Sequence, residues 1–162
     1  MARVKRRALI VQVQTRMKDH IAYGRRKGED KEKARIRWDR THAPGDTKGK
    51  AEYIRKETLP YIYSSSTYNT YMKHLKYYVN YCEQEHGCKT LAQCEPYANE
   101  WLQSRIDSGL SPWTTKLERA ALGKLFQRPT SDFVATPDRN RENIVRSRTE
   151  TKSKIKFEKS AN

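Results

Sequence analysis

Three groups of residues have the types and spacing to meet an anion. Ser64-Ser65-Ser66-Thr67 precedes a run of apolar residues at helical spacing. Hydroxyls in that position cap the unpaired N–H groups of a helix's first turn. The same helix end also attracts phosphates. Ser65, Ser66 and Thr67 are therefore candidates for capping, for phosphate contact, or for both. Ser111-Pro112 opens a second such helix, with Ser at the N-cap and Pro at the first helical position. Its apolar stripe is Trp113, Leu117, Ala120, Ala121, Leu125 and Phe126. Ser111 stands at its mouth, and Thr114, Thr115, Lys116, Arg119 and Lys124 are the polar positions the stripe leaves over. They read either as a solvated face or as a contact surface. The third group is basic: Arg3-Val4-Lys5-Arg6-Arg7 and Arg25-Arg26-Lys27. Arg6, Arg7, Arg25 and Arg26 suit a phosphate backbone, where such contacts add affinity and little sequence information.

Other chemistries find less support. Seven tyrosines lie between Tyr61 and Tyr81. They suggest base stacking or a tyrosine nucleophile. Tyr68, Tyr71 and Tyr78 share one helical face with Met72, Leu75, Val79 and Cys82, which is a core pattern. A nucleophile also needs convergent Arg and His partners, and no matching set is recognisable. Cys82, His86, Cys88 and Cys94 run as Cys-x3-His-x-Cys-x5-Cys, which is none of the usual paired zinc spacings. The pairs Glu29-Asp30 and Glu83/Glu85 are too isolated for a metal nuclease. No metal, cofactor or catalysis is expected.

Charge sets the class of partner. The chain has 162 residues, 34 Lys/Arg against 19 Asp/Glu, and a net charge of +15. Residues 1–60 carry 18 basic and 8 acidic side chains, whereas residues 61–128 carry 8 and 6. Clustering of this kind favours nucleic acid as the partner. Hydrophobic residues make up 35%, so one core cannot fill the whole length. The longest apolar run near the start is Ala8-Leu9-Ile10-Val11, too short for a membrane span or a signal peptide. With three cysteines, an odd number, the chain reads as cytoplasmic and without disulfides.

These residues must be positioned by helices. From Arg3 to about Tyr23, Ile10, Val13, Met17 and Ile21 recur at helical spacing, although Leu9, Val11 and Val13 also alternate as in a strand. A polar helix is expected over Glu29–Arg40, then a Pro/Gly loop from His42 to Gly49. Next come a short helix from Ala51 to Leu59 and the long helix after the serine cap, closed by Gly87. A helix from about Glu95 to Ser108 buries Tyr97, Ala98, Trp101, Leu102 and Ile106, and Gly109 stops it. The last helix runs to Phe126, with Pro129 just past its end. The fold class is mainly α: residues 1–41 a basic helical extension, 42–50 a linker, 51–128 a compact bundle, and 129–162 a flexible basic tail.

The bundle resembles the SAM-like core-binding domain of tyrosine recombinases, the phage-type integrases. Thr67, Tyr71 and Leu75 match that family's Thr-x-x-x-Tyr-x-x-x-Leu helix, and Ser111 through Leu125-Phe126 match its later helix. Residues 86–111 fit the intervening helix and loops, so the resemblance covers roughly residues 50–128. It implies a small SAM-like bundle on duplex DNA, with the Ser111–Lys124 helix along the major groove. It also implies other recombinase protomers as further partners. The family's catalytic Arg, Lys, His-x-x-Arg box and distant Tyr have no counterpart here, since none of His20, His42, His74 and His86 has Arg three residues on. The expectation is DNA binding for recombination or integration without catalysis by this chain. The alternative is a helical adaptor that binds protein through its aromatic faces.

Overall fold

The computed structural model describes residues 7–133. The expectations for residues 1–6, Arg6 included, and for the tail from 134 onward lie outside the described residues. The fold is mainly α: α1 (Leu9–Lys18), α2 (Lys27–Thr41), α3 (Thr47–Thr58), α4 (Ser65–His86), α5 (Leu91–Cys94), α6 (Ala98–Asp107) and α7 (Pro112–Phe126). One 3-10 turn, Glu95–Tyr97, joins α5 to α6, and another, Thr130–Asp132, follows α7. Among the described residues the one strand-like feature is a parallel bridge between Ile21 and Ile62.

The α4 helix is the spine of the core. Leu75, Tyr78, Val79 and Cys82 are buried on the face the spacing predicts, with Tyr68, Tyr71 and Met72 packed at its edge. Ser64 is the N-cap, its Oγ accepting from the Thr67 N–H at 3.3 Å. At the other end Gly87 takes a left-handed φ of 61°, and its N–H returns to the Glu83 carbonyl. That conformation favours a residue without Cβ. Tyr78 sets the centre: its ring lies 5.2 Å from Trp101 and 6.1 Å from Phe126, and its hydroxyl donates to the Cys94 carbonyl.

Several expectations need correction. The first helix is no arm outside the core: Leu9, Val13 and Met17 are buried in the same cluster as α4, α6 and α7. Leu9, not Ile10, heads its face, and Ile21 has already left the helix. The expected linker over 42–50 is shorter. Asp46 caps a helix that begins at Thr47, accepting from the Gly49 N–H at 2.9 Å. Helices α2 and α3 pack against each other as a hairpin, in which Trp38 stacks on His42 and leans on Tyr53. The expected helix from Glu95 begins earlier, at Leu91 under a Thr90 cap, and bends through the 3-10 turn that Pro96 opens.

The largest difference is the phase of α7. Its buried face is Thr115, Glu118, Ala121, Leu122 and Leu125. Leu117 and Ala120 are only half-buried, and Trp113 is 64% exposed. The cause is Glu118, which turns inward to accept from Arg105 Nε at 3.1 and 3.2 Å and lies 3.2 Å from His74 Nδ1. A hydropathy stripe treats glutamate as outward-facing and therefore sets the helix in the wrong rotation.

Two of the three tryptophans, Trp101 and Trp113, give opposite expectations. Trp101 is 2% exposed, and Trp101→Ala should cost about 3–5 kcal/mol. Trp113→Ala should change stability by about 0.5 kcal/mol or less. Urea denaturation midpoints of the two variants check this; equal shifts would contradict the rotation of α7.

Candidate nucleic-acid interface

On α7 the residues expected to face a ligand mostly serve the scaffold. Ser111 Oγ accepts from the Thr114 N–H at 3.3 Å, so it is the cap the sequence implies. Thr115 is buried and its hydroxyl donates to the Ser111 carbonyl. It is not available to a ligand. Arg119 is half-buried and its Nη2 donates to the Thr130 carbonyl at 2.9 Å. Lys124 also turns inward, donating to the Thr58, Leu59 and Tyr61 carbonyls at 3.3, 2.7 and 2.8 Å. Those are carbonyls at and just beyond the end of α3, which the helix leaves unpaired and partly negative. Burial first, and nearby Lys27 second, pull the Lys124 ammonium down to a pKa of about 8. Only Lys116 stands fully exposed, its Nζ 5.6 Å from the centre of the Trp113 ring; Thr114 is half-buried.

The other expected contacts divide the same way. Ser65 and Ser66 are exposed at the start of α4, whereas Thr67 is half-buried and accepts from Ser64 Oγ at 2.7 Å. Arg25 is held: it pairs with Asp30 at 2.9 Å and lies 4.1 Å over the Tyr61 ring. Asp30 also accepts from the Tyr63 hydroxyl at 2.8 Å. That bond first, and Arg25 second, hold the Asp30 carboxyl below its ordinary range. Arg26 is 84% exposed, with only a 3.8 Å approach to Glu29. Arg7 is exposed on the lead into α1. The structure thus leaves Ser65, Lys116 and Arg7 exposed, keeps Arg26 and Ser66 exposed with loose contacts to Glu29 and Ser64 at 3.8 and 3.3 Å, and gives Thr115, Arg119, Lys124 and Arg25 structural partners.

The hairpin of α2 and α3 supplies charge that reading for arms and linkers misses. Six ion pairs occupy its acids: Arg25–Asp30, Arg26–Glu29, Arg35–Glu32, Arg37–Glu57, Lys50–Asp39 and Lys56–Glu52. The remaining acid, Asp46, is the α3 cap. Among the described residues Lys27, Lys31, Lys33, Arg40, Lys48 and Arg55 then have no ion pair. Exposed pairs of this kind stabilise little, roughly 0–1 kcal/mol each. Their larger effect is to neutralise every carboxylate and leave a one-sign field. Lys33 and Arg40 are both exposed and stand seven residues, about 10 Å, apart along one side of α2. The signal was present as acids three or four residues from a base, which a charge count does not separate from the surplus.

The three cysteines are free and buried, and burial pushes the Cys88 thiol up. Cys94 is pushed up by its contact with Cys82 and then by burial. Among the described residues no three of His, Cys, Asp and Glu are placed to hold a metal ion. Among them, too, no helix is long and apolar enough to cross a membrane.

Lys124 carries a pH prediction. Its folded pKa of about 8 lies below the ordinary 10.5. Between those values the unfolded chain holds more protons, so this group makes stability rise with pH there. The unfolding free energy of wild type minus that of Lys124→Met should climb from pH 8 toward 10.5. A flat difference across that window, measured by denaturant titration, would place the ammonium in water. No family model, no curated protein and no solved structure matches this chain.

Proposed function

We propose that this chain is a DNA-binding module that holds duplex DNA by its phosphates and performs no catalysis of its own. The observation that carries the reading is the charge left on the α2–α3 hairpin. All seven carboxylates there have partners, and Lys33 and Arg40 remain exposed without an ion pair among the described residues, free to meet backbone phosphates. Lys116, Ser65, Ser66 and Arg7 extend the contact surface onto the bundle.

The finer reading is the core-binding part of a tyrosine-type site-specific recombinase, acting in DNA recombination or integration. It rests on the ordered resemblance of Thr67, Tyr71 and Leu75 on α4 and of Ser111 through Leu125-Phe126 on α7. The absence of a His-x-x-Arg box from the sequence supports recognition without strand cleavage. A second reading, a helical adaptor that docks on recombinase protomers, is favoured by Trp113. An exposed tryptophan is the residue type most often found at the energetic centre of a protein interface.

Salt-dependent anisotropy with a labelled duplex tests both. Duplex binding should weaken steeply with salt, log K falling by about 0.9 per phosphate contact for each unit of log salt. Lys33→Ala with Arg40→Ala should lower that slope by about two units on any duplex sequence. Absence of binding at low salt would reject DNA as the partner and leave the adaptor. With nicked suicide duplexes, no protein–DNA adduct should survive denaturing electrophoresis; a stable adduct would overturn the non-catalytic reading.

A further inference from the structure

A cleft of about 300 Å³ lies between the outer face of α3 and residues Pro129, Thr130 and Ser131. That size is at the small end of ligand-holding clefts, about 300–1,000 Å³. None of its lining residues was a candidate from the sequence. We propose that it seats one phosphodiester of a bound duplex strand, with Lys48, Arg55 and Lys56 on the phosphate and Leu59 and Pro129 against the ribose. The proposal rests on the DNA-binding reading and names a contact site within it.

Both walls are fixed before any ligand arrives. The 129–131 wall is tied to α7 by two hydrogen bonds. Arg119 donates to the Thr130 carbonyl, and the Arg128 N–H donates to the Gly123 carbonyl at 3.1 Å. Gly123 lets the two segments touch: a Cβ there would stand 2.8 Å from the Arg128 carbonyl oxygen. Beyond the wall Phe133 is buried, and Arg128 pairs with Glu95 at 3.2 Å. The α3 wall is held from the same helix, through the three carbonyls that accept from Lys124. A preformed cleft loses less entropy on binding than one that must be assembled.

The charge also fits. Among the described residues Lys48 and Arg55 have no ion pair, and Lys56 shares its charge with Glu52 at 3.5 Å. The cleft therefore carries three cations against one carboxylate. Arg55 and Leu59 sit near the C-terminal end of α3, where the helix dipole alone would repel an anion. The Lys124 ammonium on those end carbonyls offsets that repulsion. Leu59 and Pro129 offer no hydrogen-bonding side chain, which suits the carbon face of a sugar between two phosphates.

The test uses the full chain and a labelled duplex, with folding followed by circular dichroism. Ser131→Trp fills the cleft without changing charge and should weaken binding roughly tenfold, about 1.4 kcal/mol. Lys48→Ala with Arg55→Ala should lower the salt slope by about two units. Glu52→Gln removes the one carboxylate and should tighten binding severalfold, opposite in sign to the others. If wild type binds no duplex at low salt, the DNA reading itself fails. If wild type binds and folded Ser131→Trp binds equally well, the cleft is rejected while the DNA reading stands. Should Ser131→Trp fail to fold, Glu52→Gln decides: unchanged affinity overturns the cleft.

Discussion

Glu118 is fully buried between α4, α6 and α7, and the phase of α7 follows from keeping its carboxylate paired. Taking a charge out of water costs several kcal/mol, and the cost is recovered only where hydrogen bonds satisfy its oxygens. Arg105 reaches both oxygens of Glu118, and His74 reaches Oε2 from α4. Arg105 is in turn braced at 5.3 Å over Tyr77 and 5.6 Å over Trp101. Removing one partner of such a pair typically costs about 3–5 kcal/mol, so the rotation it selects is strongly held.

The rest of α7 is a consequence of that rotation. With Glu118 inward, Trp113, Leu117, Ala120 and Lys124 fall on one side face at i, i+4, i+7 and i+11. The far end of that face meets the end of α3 through Lys124, and the near end leaves Trp113 in solvent. The face carrying Lys116, Arg119 and Gly123 meets the returning chain at Arg128 and Thr130. One helix therefore anchors the core, suspends the α2–α3 hairpin and fixes the segment after itself. The hairpin has little core of its own, with only Ala34 and Thr58 buried along its two helices. Its position depends on polar links at its open end: Lys124 to the end of α3, and Tyr63 and Arg25 to Asp30 near the start of α2.

What was legible in the sequence is what local physics determines. The hydroxyl caps at Ser64 and Ser111, the α4 face and the Gly87 stop all depend on residues within one or two turns. What was not legible depends on partners far along the chain. Glu118 needs Arg105 and His74, and Lys124 needs carbonyls some sixty residues earlier. Periodicity assigns every Lys, Arg and Glu to the outside. It therefore read Arg119 and Lys124 as ligand-facing when both hold the scaffold. The same bias counted Trp113 as core, because an apolar residue at helical spacing gives no sign that the helix has been turned by a buried charge.

This exchange of roles bears on where a polyanion would be met. A lysine bonded to three carbonyls, or an arginine tied to one, loses those bonds if it swings out to a phosphate, so each such contact begins at a deficit. Surplus cations on the hairpin have no bond to surrender. Their side chains are exposed, and their field is not cancelled by neighbouring carboxylates, because those already have partners of their own. Association steered by such a field needs little rearrangement of the bundle. The physical division of labour is then between cations that build the fold and cations that the fold leaves over. The second set lies on α2, α3 and the exposed start of α7, where a polyanion would cost the fold none of its own bonds.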